Sequence, residues 1–182
     1  ALSRRKSGRE GEDGYNMSKD MCPIKRRQTK KCLSSGIPRF QPWEDVNVRS
    51  ICHDKQQLSI PARPARKADR AIAQDLLDTL KAHQDSCVGM AANMIGMPVS
   101  IIAVNENGKF LIMYDPHIIR FALPYETQES CLSVAGIHSC IRYDLIEVEY
   151  RDFRFIKKKK KFSGLAAQII QHEIDHLHGI LI

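Results

Sequence analysis

The sequence predicts an α+β fold, with antiparallel strands and helices in separate segments. Three observations carry this. Two stretches repeat apolar residues at helical spacing, near residues 68–83 and 165–178. Two β-branched runs, 100–104 and 110–114, flank the polar turn Asn105-Glu106-Asn107-Gly108 and read as a hairpin. Residues 146–150 alternate Ile146, Val148 and Tyr150 with Glu147 and Glu149, as a half-buried strand does.

Taken in order, residues 1–45 form a polar, aperiodic and basic segment. It is expected to be a solvated, flexible extension ahead of a single domain at 46–182. Its acidic residues, Glu10, Glu12, Asp13 and Asp20, argue against a transit peptide. The first helix follows from Ile72, Leu76, Leu77 and Leu80, with Asp69 placed to favour its N-terminus. Residues 151–155 are expected to continue the alternating strand in extended form. Lys157 to Lys161, five lysines in a row, read as a solvated turn or a strand edge, where charge blocks aggregation. Ser163-Gly164 opens the last helix, on which Leu165, Ile169, His172 and His176 share one face, expected to point inward.

Composition narrows the function. The formal charge is +7, but residues 1–50 hold twelve basic and six acidic residues, which leaves the rest at +1. A nearly neutral body without an aromatic stacking platform argues against a specific nucleic-acid partner. No apolar run approaches the roughly 18 residues of a membrane span. No secretory signal opens the chain, and Cys22, Cys32, Cys52, Cys87, Cys131 and Cys140 show no C-x-x-C pair, so reduced thiols and a cytoplasmic location are expected.

The chemistry lies in His172-Glu173-Ile174-Asp175-His176, which reads H-E-x-x-H. On a helix, positions i and i+4 share a face, so both imidazoles can reach one metal ion. Glu173 beside them can move protons to and from a water activated by that metal. A hydrolytic metal usually takes a third protein ligand. Cysteine, aspartate, glutamate and histidine are all candidates. The best local context is Glu129-Ser130-Cys131-Leu132-Ser133, although a lone Cys131 would more often be a buried, inert thiol.

These two segments, with Cys87-Val88-Gly89-Met90-Ala91-Ala92-Asn93-Met94, resemble the three motifs of the peptide deformylase family. Those motifs read G-Φ-G-Φ-A-A-x-Q (Φ apolar), E-G-C-L-S and H-E-x-x-H, and they occur here in that order. The resemblance implies small antiparallel sheets around a C-terminal helix carrying H-E-x-x-H. It implies Cys131, His172 and His176 as metal ligands and Glu173 as general base and acid. Leu132 would offer its backbone N–H to the oxyanion, and Val88 and Gly89 would pair with the substrate as an added strand. The implied reaction is removal of the N-formyl group from formyl-methionyl nascent chains. One divalent metal is implied: ferrous iron is expected, and zinc or nickel is compatible with the ligands. A transient ribosome contact is expected, and no membrane.

Three positions depart from the family. Met94 replaces a glutamine whose amide donates to the oxyanion, and Asn93 could substitute only if the local backbone differed from an extended strand. Ser130 and Cys87 replace glycines, and Ser130 would be strained if it required positive φ. Besides an active deformylase, the departures leave open a peptide-binding relative without efficient turnover, or a hydrolase of another acyl or peptide substrate.

Overall fold

The computed structural model describes residues 47–182, so the expected N-terminal extension lies outside the described residues. A short helix α1 (Lys55–Leu58) comes first, its N-terminus capped by Asp54, whose carboxylate accepts from Gln56 N at 2.9 Å. A 3₁₀ turn, Lys67–Asp69, leads into α2 (Arg70–Ala82). Asp69 does not cap that helix with its side chain. Its carboxylate instead accepts from Arg63 at 2.9 and 2.7 Å and from Arg66 N at 2.7 Å. Leu76 and Leu80 of α2 are fully buried, whereas Ile72 and Leu77 flank the core.

Five strands follow: β1 (Gly89–Ala91), β2 (Ile101–Glu106), β3 (Lys109–Glu129), β4 (His138–Arg151) and β5 (Lys157–Ser163). They form one antiparallel sheet in the order β1-β2-β3-β4-β5. The expected small sheets are therefore joined into one, because the 21-residue β3 runs through both halves. Register shifts near residues 114–117 and 118–120 bend β3 as it passes. The β2–β3 turn is the expected one. Glu106 pairs with Lys109, and Asn107 and Gly108 both take positive φ, 53° and 87°, as a two-residue primed turn requires.

Residues 151–155 do not continue as a strand. β4 stops at Arg151, and the Asp152 carboxylate accepts from the backbone N–H groups of Arg154 and Ile156, both at 2.9 Å. Those two bonds, with Phe155 at φ 65°, close a turn that delivers the lysine run as β5. β5 is the outer strand of the sheet, one of the two environments expected for that run.

α3 (Gly164–Leu177) carries Ile169, His172 and His176 inward, each at most 1% exposed. Leu165 does not join them and is 59% exposed. It sits in the first turn of the helix, lining a cleft of about 290 Å³ with the β2–β3 turn and Lys161. The core fills the space between the sheet and the helices, with Leu58, Met90, Ile102, Met113 and Ile170 all fully buried.

Candidate metal centre

α3 and the segment after β3 bring the second and third motifs together. Ligand atoms of Cys131, His172 and His176 all lie within 4.8 Å of one another, the one such cluster among the described residues. Cys131 Sγ lies 3.3 Å from His176 Nε2, and Ser133 N donates to the same sulfur at 3.3 Å. Burial pushes the Cys131 thiol up, but hydrogen bonding with His172 and His176 outweighs it and brings the pKa down to about 3. A thiolate facing two imidazoles is a ligand set suited to a divalent transition metal.

A buried ionic network sets the orientation of His172. Its Nδ1 meets Glu129 Oε2 at 2.8 Å, which directs Nε2 away from Glu129. Arg142 holds the same carboxylate in a fork, at 2.9 and 2.7 Å, and gives its remaining arm to Asp175 Oδ2 at 2.6 Å. Burial alone would raise the Glu129 pKa, but bonds from Arg142 and His172 hold it well below the carboxylate range. A carboxylate behind a metal-binding histidine fixes its tautomer and ring angle. Glu129 stood in the second motif without an assigned role, and its place two residues before Cys131 was its only signal. Arg142 and Asp175 gave none, since their importance arises from pairing across 33 residues.

Glu173 is fully buried beside this cluster, and Gly89 explains how the edge strand reaches it. A Cβ built on Gly89 would lie 2.5 Å from Ile169 Cγ2 and 2.8 Å from Glu173 Oε1. Only a residue without a side chain lets β1 approach so closely. The Val88 carbonyl accepts from Asn105 N at 2.8 Å, inside the sheet. Gly89 pairs with Val104, so Val88 and Gly89 stand at the first strand of the sheet, with β2 on one side. Leu132, half-buried, directly follows Cys131 in the turn after β3.

The departures from the motifs resolve differently. Ser130 is not among the residues with positive φ, so the expected strain is not there. Cys87 is fully buried, donates to Gly89 O at 2.8 Å and has its pKa pushed up to about 12 by burial, as an inert thiol should. No disulfide links Cys52, Cys87, Cys131 or Cys140. Asn93 and Met94 lie in a 3₁₀ turn, Ala92–Ile95, not in an extended strand. Asn93 does not take over the glutamine's donor role, because its amide N–H groups go to Leu58 O at 3.2 Å and His176 O at 2.7 Å.

The polypeptide deformylase family model matches residues 48–182. The chain belongs to that family. A peptide deformylase of Clostridium beijerinckii is 44% identical over 135 residues, covering 74% of this chain and 99% of the relative. One from Picosynechococcus is 38% identical over 121 residues, 62% of this chain and 63% of the relative. Among solved structures, a deformylase from Legionella pneumophila superposes with a TM-score of 0.67 at 26% identity, covering 74% of this chain and 83% of its own. A deformylase from Synechococcus elongatus, solved in complex with actinonin, has a TM-score of 0.67 at 27% identity, covering 78% and 79%. The α+β architecture, one antiparallel sheet with a C-terminal helix, is thus that of deformylases.

Proposed function

We propose that this protein is a metal-dependent peptide deformylase, which hydrolyses the N-formyl group of formyl-methionyl chains to formate and a free amine. The observation that carries this is the convergence of Cys131, His172 and His176 beside buried Glu173, at the edge strand of the sheet. A divalent metal held by those three side chains would acidify water and polarise the formyl oxygen. Ferrous iron is the expected ion, and zinc or nickel would fit the same donors.

The protein's own groups carry the rest. Val88 and Gly89 align the extended substrate along β1 through their backbone. Glu173 accepts the proton of the attacking water as oxygen adds to the formyl carbon. It then delivers that proton to the departing nitrogen as the C–N bond breaks. The Leu132 N–H donates to the oxyanion that forms between these steps. Glu129 and Arg142 keep His172 in one tautomer throughout.

Substrates of this kind arise on translating ribosomes, so the protein would act in the cytoplasm and touch the ribosome in passing. The lysines of β5 are the surface proposed for that contact, and changing them to glutamine should reduce co-sedimentation with ribosomes. Unchanged sedimentation would remove that part of the proposal. No helix among the described residues is long and apolar enough to cross a membrane.

The central test is formate release from a formyl-Met tripeptide by protein loaded with ferrous iron without oxygen. Turnover that Glu173→Ala abolishes is expected. A fully metallated protein that releases no formate would overturn the assignment.

A further inference from the structure

Asn93 occupies the variable position of the first motif, and the reaction described above gives it no role. Yet it is 2% exposed and its amide is fully engaged as a donor. One N–H goes to the carbonyl of Leu58, the last residue of α1, at 3.2 Å. The other goes to the carbonyl of His176, in the last turn of α3, at 2.7 Å. Helices end with carbonyls that have no partner inside the helix, and a side chain from elsewhere can supply one. Asn93 does so for Leu58, and it adds a second donor to the His176 carbonyl, which also accepts from Gly179 N at 3.1 Å.

The arrangement is not a cheap way to fill space. Asn93 Oδ1 is buried with no hydrogen-bond partner among the described residues. An apolar side chain at this position would avoid that loss. What the amide brings is a fixed distance between the turn after β1 and the backbone of His176. The turn itself is held on its other side, where Met94 O accepts from Cys52 N at 2.7 Å and Asn93 O from Gly96 N at 2.9 Å.

We propose that Asn93 is a positioning residue for the metal centre: it clasps the end of α3 at His176 and so sets that imidazole against Cys131 and His172. The inference rests on the metal-site reading of those three residues, and it links the first motif to the third through one side chain.

Cobalt(II) titration of the apoprotein, followed by its thiolate-to-metal and d–d absorption, reads the centre without reference to turnover. Asn93→Ala should weaken cobalt affinity on the order of tenfold and alter the d–d band, as losses just outside a ligand shell do. Asn93→Ser, which keeps one hydroxyl donor, should fall between Ala and the parent. Leu80→Ala, a core truncation in α2, controls for stability and should leave affinity unchanged at temperatures where the protein is folded. If Asn93→Ala does not fold, the serine variant decides: affinity below the parent is expected. Parent-like affinity and spectrum in the folded Asn93 variants would overturn the proposal while the metal reading stands. A parent protein that binds no cobalt would overturn both.

Discussion

At the scale of single residues, the site depends on one absent side chain and one changed one. Gly89→Ala would drive a methyl group into Ile169 and Glu173, so either the strand or the base must shift. A misplacement near 1 Å in a catalytic constellation costs about a hundredfold in rate, and kcat should fall accordingly while the protein stays folded. Retention of parent kcat would show that the close approach of β1 does not set the position of Glu173. Met94 is fully buried in the turn where the family has its amide donor. Met94→Gln should therefore raise kcat, by up to about a hundredfold, with little change in KM. An unchanged or lower kcat would show that Leu132 alone suffices for the oxyanion. The proposed ligands, which the fold brings together, were legible in the sequence because metal chemistry restricts residue types and spacing. The fate of Asn93 was not, since it depends on a 3₁₀ turn and on carbonyls at positions 58 and 176.

At the scale of elements, α3 is fastened to the β3–β4 ribbon by charge. Arg142→Leu leaves Glu129 buried without its fork, which should cost about 3–5 kcal/mol in urea unfolding. Adding Glu129→Gln to that variant should recover part of the loss, because the orphaned charge disappears; no recovery would deny the pair its role. The same network predicts an acid limit. Glu129 has a folded pKa below its ordinary 4.5, so its contribution is full above that value and is lost as pH falls below it toward the folded pKa. Unfolding midpoints of the apoprotein should drop steadily as pH falls below 4.5, and Glu129→Gln should flatten that drop. Periodicity located α2, α3 and the β2–β3 hairpin to within a few residues, since each has a buried face that repeats. It missed most of β3, where Pro116, Asp115 at φ 48° and two register shifts break the alternation. Leu123 at φ 60° breaks it further along, and Phe121 and Leu123 are largely exposed. Strand pairing, not burial, defines that part of the chain.

At the scale of the whole molecule, folding and metal binding should be linked. Cys131, His172 and His176 come from segments up to 45 residues apart, so only the folded chain assembles them. A metal at a hundred times its Kd adds about 2.7 kcal/mol, which for a domain of this size raises Tm by roughly 5–10 °C. Chelation should reverse the shift, and Cys131→Ser should lose most of it; a Tm indifferent to metal would argue against the centre. The order of the strands has one more consequence. Any open sheet has two ends, so an extended peptide ought to find two berths. At one end stands β5, with Lys157, Lys158, Lys159 and Lys160 each bridged to an acid of the same chain, a hydrated margin that a passing strand must strip before it can dock. At the other stands β1, only three residues long, with length for little more than a single guest. On the proposed reading the sheet has a valence of one, and a peptide that adds to it would be delivered to the end where Cys131, His172 and His176 converge.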